Sequence, residues 1–344
     1  MEFARDKFLG VRPQWLSLHD EPVLDPELPI IDAHHHLWDR SGWRYLLDEF
    51  VEDLKCGHNI VATVYVQCTA MYRRHGPPEL SAVGETEFAN GMAAMSASGN
   101  YGPTEICAGI VAYADLRSEA GLPRLLDAHA QRAGPRFKGI RQITAWDPEP
   151  SVNNPENKVT AGMLEDPRFR RGMAMLASRG LRFDAWVYHT QLPALTDLAR
   201  AFPGVPIVLN HAGTPLGIGG HERDRARTLR DWARDLRELA RCDNVFIKLG
   251  GLGMRTAGMG LAAHERPLDS QRLAELMRPV LEPCIEFFGA RRCMFESNFP
   301  VDKASYSYRT CWNTFKRIAA GASPAERTCL FSGTAAAFYS LKSI

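Results

Sequence analysis

The sequence lacks any uninterrupted apolar run of the ~20 residues that a membrane-spanning helix needs. It also lacks an excess of charge of either sign, since 41 lysines and arginines face 40 aspartates and glutamates. A formal net charge of +1 gives no support for a nucleic-acid or membrane-surface partner. The N-terminus has no apolar core of the kind found in signal peptides. We therefore expect a cytoplasmic protein that acts on a small molecule.

Closely spaced cysteine pairs are missing as well. The eight cysteines are scattered through 344 residues, and none forms a CxxC pair. A secreted disulfide framework is denser and sits in a shorter chain, so reduced and mostly buried thiols are expected. With 45% hydrophobic residues the chain can build a large core, and α/β barrels of this length are often one domain.

What the sequence does contain is eight short runs of apolar and β-branched residues, with helical patterns between several of them. Their continuous apolar character is typical of strands buried on both faces, as in parallel sheets. The alternation predicts a single α/β fold, a (β/α)8 TIM barrel. An open doubly wound sheet is less favoured, because no GxGxxG follows the first strand. The predicted strands are 28–34, 59–68, 105–114, 136–144, 181–189, 205–211, 244–251 and 292–300.

Two segments exceed a minimal barrel. Residues 1–27 precede the first strand and are predicted to be an N-terminal extension to a barrel domain of residues 28–344. Residues 69–104 are rich in glycine, proline and small side chains and are longer than an ordinary connection. We predict a loop insertion after the second strand, with one helix near 85–97, over the carboxyl face of the barrel.

Barrel enzymes build their active sites at the carboxyl ends of the strands, so polar residues there are the candidate site. The first strand ends in three histidines. His34 and His36 share a face of an extended strand, roughly 7 Å apart at Cα, while His35 points away. Neutral imidazole binds zinc and similar ions, so this pair could hold a divalent ion or flank a substrate. The other strand-end candidates are Lys138, Arg141, Gln142, Tyr188, His189, Gln191, Asn210, His211, Lys248, Glu296, Ser297 and Asn298.

The cations and histidines among these candidates each have a structural alternative. His189 and His211 could complete the site of the first-strand pair or lie in ordinary loops. A buried cation without a partner is costly, so Arg141 and Lys138 imply a carboxylate, which could belong to the substrate. Salt-bridged filling of the barrel is the alternative for both, and for Lys248. The histidines interpreted as surface or structural are His19, His58, His75, His129, His221 and His264.

Five stretches together resemble the amidohydrolase superfamily: IIDAHHHLWD, FKGIRQI, YHTQLPALTDLARAFPGVPIVLNHAG, VFIKLGGLGM and RCMFESNFPVDK. More narrowly, they resemble its amidohydrolase-related TIM-barrel hydrolases, a group that includes sugar lactonases and 2-pyrone-4,6-dicarboxylate lactonase. The resemblance implies a site of metal-binding or catalytic histidines at His34, His36, His189 and His211. It also implies an aspartate after the eighth strand, acting as metal ligand and general base, where this chain has Asn298.

The asparagine departs from the pattern, because an amide cannot accept a proton at neutral pH. Three consequences stay open. Glu296 or Asp302, the nearest acids, could act as the base. The histidines alone could hold zinc or manganese. The site could also work without a metal.

The sequence thus predicts a hydrolase that opens a lactone or similar cyclic ester of a small, anionic compound by attack of an activated water. The alternatives are a non-oxidative decarboxylase of an aromatic or unsaturated acid and a non-catalytic binding barrel. A homo-oligomer is left open. The predicted catalytic residues are His189, His211, Asn298, Glu296 and Arg141. The predicted substrate-binding residues are Lys138, Arg141, Tyr188, Gln191 and Lys248.

Overall fold

The computed structural model describes residues 9–154 and 157–341, and its centre is an eight-stranded parallel sheet. Strands that are neighbours in this sheet follow one another along the chain, once a small hairpin of β2 and β3 is set aside. This is the strand order of a TIM barrel, and all eight predicted strands are present. The strands are β1 Ile30–His35, β2 Trp38–Arg40, β3 Trp43–Tyr45, β4 Ile60–Val66, β5 Glu105–Ala112, β6 Phe137–Ile143, β7 Arg182–Trp186, β8 Ile207–Leu209, β9 Val245–Leu249 and β10 Cys293–Phe295.

The barrel closes where the chain beyond β10 meets the end of β1. Asn298 N donates to His34 O at 2.9 Å, and His36 N donates to Phe299 O at 2.8 Å. A parallel bridge also joins His35 to Phe299. An open doubly wound sheet would leave these edges unpaired, so the predicted α/β TIM barrel is confirmed. The closure places the histidines of the first strand beside the residues that follow the last.

Helices alternate with the strands and pack outside them. The helix predicted near 85–97 is α3, which packs against β5 and α4 as a barrel helix does. Residues 67–82 form the connection between β4 and α3. The β2–β3 hairpin and α2 are not predicted by the sequence pattern. The helices are α1 Pro13–Leu16, α2 Leu47–Leu54, α3 Val83–Ser96, α4 Leu122–Ala133, α5 Pro167–Ser178, α6 Leu192–Ala201, α7 Arg225–Leu239, α8 Ser270–Phe288, α9 Tyr308–Ile318, α10 Pro324–Thr328 and α11 Thr334–Tyr339.

Each barrel strand is shorter than its predicted segment, and local backbone geometry explains the two clearest cases. β8 ends at Leu209 because His211 and Ala212, which follow, have positive φ angles of 55° and 52°. β10 ends at Phe295, and Asn298 beyond it has a φ of 54°. Left-handed backbone does not continue a strand. The polar residues at these positions therefore leave the sheet and turn at the carboxyl end of the barrel.

The described part of the N-terminal segment lies along the outer helices. Asn313 of α9 accepts a hydrogen bond from Leu24 N at 2.9 Å and donates to Pro22 O at 2.9 Å. Lys316, one turn further along the same helix, donates to Leu24 O at 2.8 Å. These bonds fasten the segment to the outside of the barrel.

The last helix fills the amino end of the barrel. Phe338 and Tyr339 of α11 pack among side chains that line the barrel interior. Arg182, the first residue of β7, donates to Phe338 O, which places α11 at the starts of the strands. The carboxyl end is therefore the end left for chemistry. The interior side chains in the same hydrophobic cluster as this helix include Ile31, Val64, Val111, Val208 and Met294.

All eight cysteines have free thiols, and seven of them are buried. Within residues 9–154 and 157–341, no helix combines the length and apolar character needed to cross a lipid bilayer.

His129 of α4 provides a test of how burial couples stability to pH. Its Nε2 lies 3.0 Å from Tyr113 O, and its Nδ1 lies 2.8 Å from Thr86 Oγ1. The carbonyl can only accept, so Nε2 carries a proton, and in the neutral ring Nδ1 accepts from Thr86. Burial lowers the pKa of His129 from 6.5 to about 4. The unfolded chain therefore binds a proton between these pH values that the native protein does not, and stability falls as pH falls through this window.

We expect the free energy of unfolding to depend less steeply on pH in His129→Gln. Its slope should decrease by roughly 1.4 kcal/mol per pH unit, the value for one bound proton. Urea unfolding of both proteins at several pH values from 7.5 to 4 measures the slope. His264→Gln, at an exposed histidine, is the control. Parallel pH profiles for wild type and His129→Gln would show that this ring does not resist protonation.

Candidate active site

The end of β1 brings two ring nitrogens together. The pairing of β1 with β4 shifts between Asp32 and His35, a bulge of the kind that re-aims side chains near active sites. The Nε2 atoms of His34 and His36 lie 3.2 Å apart, and His36 Nδ1 lies 2.7 Å from Val66 O. Because the carbonyl only accepts, His36 carries its proton on Nδ1 and presents a lone pair on Nε2. The two histidines share one site, as the alternation along the strand predicts.

The middle histidine of the three faces the outer layer. The ring of His35 stacks on Phe50 of α2 with 4.4 Å between centroids, and its Nε2 lies 2.9 Å from Thr63 Oγ1. Burial lowers the pKa of His35 to about 3. His35 is therefore a neutral packing residue, pointing away from its neighbours as predicted.

Glu296, just beyond β10, connects two histidines from different strands. Its Oε1 accepts from His211 N at 3.0 Å and lies 2.7 Å from His211 Nδ1. Its Oε2 lies 2.9 Å from His34 Nδ1. All three residues are buried. Since a carboxylate only accepts, the proton of His211 is on Nδ1 and its Nε2 keeps a lone pair.

Arg141 of β6 decides the protonation of His34. Its Nη1 lies 3.2 Å from His34 Nε2, and a guanidinium can only donate. His34 therefore accepts at Nε2 and carries its proton on Nδ1, which lies near Glu296 Oε2 without the geometry of a hydrogen bond. Arg141 also donates to Gln67 O, and it is buried with its Nε unpaired among the described residues. Among the residues that the structure describes, no carboxylate forms an ion pair with Arg141.

Lys248 of β9 does have a carboxylate partner. Its Nζ lies 2.7 Å from Asp184 Oδ1 and 3.3 Å from His34 Nδ1. Tyr339 OH, from the last helix, donates to the same carboxylate at 2.8 Å. All of these side chains are fully buried inside the barrel. Salt-bridged filling of the barrel, the structural alternative for Lys248, is what the structure shows, and a contact with substrate stays a prediction.

Asn298 stands where the resemblance implies an aspartate. Its Nδ2 donates to Asp302 Oδ1 at 2.8 Å. Asp302 Oδ2 accepts from Tyr306 OH at 2.5 Å and from Gly253 N at 2.9 Å. Burial raises the pKa of Asp302 to about 6. A carboxyl group thus lies one hydrogen bond behind the asparagine, whose amide oxygen is left for a ligand.

The residues that follow β7 take a different place. His189 Nδ1 accepts from Leu216 N at 3.4 Å, and its ring lies edge-on to that of His221 with 5.0 Å between centroids. Gln191 Oε1 accepts from Tyr188 N at 3.1 Å, so this amide holds the local backbone. The structure does not bring His189 into direct contact with the other three site histidines.

Lys138 lies at the opposite end of the barrel. Its Nζ donates to Ser340 O at 3.0 Å, immediately after the helix that fills the amino end. Lys138 and Arg141 are three residues apart on β6, which spans roughly 10 Å of an extended strand. Tyr188 is buried, and its hydroxyl lies 3.4 Å from Val152 O. Neither Lys138 nor Tyr188 meets the histidine group.

Two buried carboxylates that support the site escaped the sequence analysis. Asp184 pairs with Lys248, as described above. Asp32 accepts from Ser297 N at 2.9 Å, from Ser297 Oγ at 2.6 Å and from Tyr308 OH at 2.9 Å, which ties β1 to the residues after β10. The available signal was a lone aspartate inside an otherwise apolar strand, since a buried charge needs partners.

The donor atoms suit a metal ion. Among the residues that the structure describes, His34, His211 and Glu296 form the group whose donor atoms all lie within 4.8 Å of one another. His36 adds a lone pair 3.2 Å from that of His34. Two nitrogens bound to one tetrahedral zinc are roughly 3.3 Å apart, given the usual Zn–N distance. The rings of His36 and His211 are also fixed through their second nitrogens, as in known metal sites.

Comparison with known proteins assigns the family. The profile of the amidohydrolase family matches residues 31–341. The chain belongs to the amidohydrolase family. The uncharacterised protein y4mH of Sinorhizobium fredii is 33% identical over 338 residues, 91% of this chain and 99% of that protein. An L-fucono-1,5-lactonase of Burkholderia multivorans is 31% identical over 235 residues, 68% of this chain and 72% of that enzyme.

A solved structure supports the same assignment. An amidohydrolase of Burkholderia multivorans with bound zinc has a TM-score of 0.68 and 26% sequence identity, and the match covers 91% of this chain and 99% of that one. The predicted resemblance is therefore confirmed, and this amidohydrolase is a hydrolase with a histidine and glutamate group that can hold a metal.

Gly251 packs against the ring of His211 and allows a direct test of the site geometry. A Cβ at Gly251 would lie 2.4 Å from His211 Nδ1. We expect Gly251→Ala to lower kcat by roughly 100-fold, because it displaces the ring. Gly289→Ala is the matched control, since Gly289 has nearly the same φ, +70° against +69°, but open space around it. Both activities are measured at a temperature at which thermal unfolding shows each variant to be folded. Equal activity of the two would contradict the placement of His211.

Proposed function

We propose that this amidohydrolase opens the ring of a lactone or similar cyclic ester of a small compound by adding water to the ester carbonyl. The observation that carries the proposal is the set of three imidazoles, His34, His36 and His211. Each Nε2 keeps a lone pair, because His36 Nδ1 donates to Val66 O, His211 Nδ1 donates to Glu296, and His34 Nε2 accepts from Arg141. The relative named as an L-fucono-1,5-lactonase supports the lactone as substrate class.

The three imidazoles would hold a divalent ion, zinc or manganese, and the zinc-containing relative favours zinc. When bound, such an ion polarises a carbonyl and lowers the pKa of a water to about 7. Glu296 keeps two of the rings in position from behind. Asn298 cannot take the proton of the water, but its amide oxygen can accept a hydrogen bond and so orient it. Asp302 fixes that amide by accepting from its Nδ2.

Arg141 supplies the positive group that faces the substrate. Its Nη1 lies beside His34, and its Nε has no partner among the described residues. Ring opening converts the ester into a carboxylate, which a guanidinium binds with two parallel hydrogen bonds. Arg141 would therefore hold the carboxylate of the product, and that of an anionic substrate.

The part of the segment 69–104 that precedes α3, residues 69–82, would close the site and set specificity. Its start is pinned by Glu85 of α3, whose Oε1 accepts from Cys68 N at 2.7 Å and from Ala70 N at 3.1 Å. Gln67, just before, accepts from Arg141 through its carbonyl. The connection is thus anchored beside the cation of the site.

A panel of aldonolactones and 2-pyrone carboxylates tests the proposal, with acid release followed by a pH indicator and the open acid identified by mass. We expect hydrolysis of at least one of these classes, its loss in His36→Ala, and its retention in His264→Ala, at an exposed histidine. Absence of hydrolysis across the panel would contradict the proposal. Release of carbon dioxide from an aromatic acid would then indicate a decarboxylase, and binding without turnover a binding barrel.

A further inference from the structure

A second polar group lies at the carboxyl ends of three neighbouring strands. Asp147 follows β6, His189 follows β7, and His221 lies in the loop after β8. Asp147 and His189 are buried, whereas the side chain of His221 is 23% exposed. His221 was predicted to be a surface or structural residue, and Asp147 was not among the predicted site residues.

This group adjoins the proposed metal site. His189 N donates to Thr214 O at 3.3 Å, and Trp186 Nε1 donates to Thr214 Oγ1 at 3.2 Å. The ring of Trp186 meets the ring of His211 edge-on, with 5.4 Å between centroids. One tryptophan and its threonine partner therefore separate the two groups.

The hydrogen bonds fix the protons of both rings. Asp147 Oδ2 lies 2.9 Å from His221 Nε2, and Asp147 Oδ1 accepts from Glu149 N at 2.9 Å. A carboxylate only accepts, so neutral His221 carries its proton on Nε2 and a lone pair on Nδ1. His189 has the opposite arrangement of contacts. Its Nδ1 accepts from Leu216 N, so its proton is on Nε2.

The two rings therefore offer one donor, His189 Nε2–H, and one acceptor, His221 Nδ1. The rings are 5.0 Å apart between centroids, and among the described residues neither atom has a hydrogen-bond partner. A hydroxyl group donates and accepts through one oxygen, whereas a carbonyl or carboxylate only accepts. The pair is matched to a hydroxyl.

We propose that His189 and His221 bind one hydroxyl group of the substrate, and that Asp147 determines which hydrogen bond His221 makes. The proposal rests on the proposed function, because it concerns the substrate that binds at the same carboxyl end of the barrel. It makes Asp147 and His221 specificity-determining residues. It favours a hydroxylated lactone over a pyrone dicarboxylate, whose carboxylates have no proton to give to His221.

Asp147→Asn separates this role from simple packing. The oxygen that accepts from Glu149 N must remain an oxygen, so the new amide group turns its NH2 toward His221. His221 Nε2 then accepts, and its proton moves to Nδ1. Two donors would face the substrate, and the hydroxyl would lose its acceptor although the shape of the site is kept.

The experiment compares an aldono-1,5-lactone with each of its monodeoxy analogues. For the hydroxyl concerned, we expect wild type to prefer the hydroxylated lactone by about tenfold in kcat/KM, the effect of one hydrogen bond. This ratio should fall to near one in Asp147→Asn and in His221→Phe, and stay unchanged in His264→Phe. A ratio in Asp147→Asn equal to that of wild type would overturn the proposal.

Calorimetric titration with the open aldonic acid and its deoxy forms makes the same comparison without turnover. If wild type hydrolyses no lactone, the proposed function fails. These titrations alone then test whether His189 and His221 bind a hydroxyl group. We expect tighter binding of one hydroxylated form to wild type and no such difference in Asp147→Asn. Equal affinity of wild type for all forms would overturn the subsite even if lactones are hydrolysed.

Discussion

Glutamine in place of Glu296 should lower the affinity of the site for zinc by roughly 10- to 100-fold. Glu296 Oε1 accepts from both the backbone and the ring of His211, so the amide oxygen must stay there. The new NH2 group then faces the Nδ1–H of His34, 2.9 Å away in the native protein. Two donors cannot bond to each other, so the ring of His34 is expected to turn and its Nε2 to leave the site.

Calorimetric titration with zinc in the presence of a competing chelator measures this loss, and hydrolysis should fall in parallel. Glu265→Gln, at an exposed glutamate, is the control and should bind zinc as wild type does. Wild-type zinc affinity in Glu296→Gln would show that this carboxylate does not orient the histidines. Complete loss of binding would instead make Glu296 a ligand itself.

Methionine in place of Lys248 should lower the free energy of unfolding by ~3–5 kcal/mol. The substitution keeps the length of the side chain but leaves Asp184 with an uncompensated charge inside the barrel. Tyr339 OH and Asn210 Nδ2, at 2.8 Å and 3.3 Å, remain as donors but carry no charge. Urea unfolding at pH 7 measures the loss.

The double variant Lys248→Met with Asp184→Asn removes both charges and should recover most of that stability. Lys55→Met is the control, because its ion pair with Glu52 is exposed and worth at most about 1 kcal/mol. If the double variant is no more stable than Lys248→Met alone, the cost does not come from the unpaired carboxylate.

The barrel could be predicted because a strand buried on both faces is apolar without interruption, and eight such runs alternate with helical patterns. The β2–β3 hairpin could not, since its strands have only three residues each and show no period. Strand ends were overestimated where the backbone turns left-handed. His211 and Asn298 have positive φ angles, and the pattern of apolar and polar residues does not predict the sign of φ.

The histidines at the ends of β1 and β8 were predictable from their spacing and position. The cations were harder, because Lys138 and Arg141 lie on one strand and a long side chain can reach along it, so the sequence does not show that Lys138 bonds at the amino end. The carboxylate partner of Lys248 comes from another strand, at Asp184, so only the closed barrel brings them together. The pairing of His221 with Asp147 likewise joins two loops that are far apart in sequence.

Elemental analysis of the protein, purified without added metal or chelator, tests most directly whether three imidazoles hold a divalent ion. We predict about one zinc or manganese per chain in wild type, far less in His36→Ala, and the wild-type amount in His264→Ala. Wild-type protein that is folded, holds no metal and hydrolyses its lactone at full rate in the presence of a chelator would contradict the account.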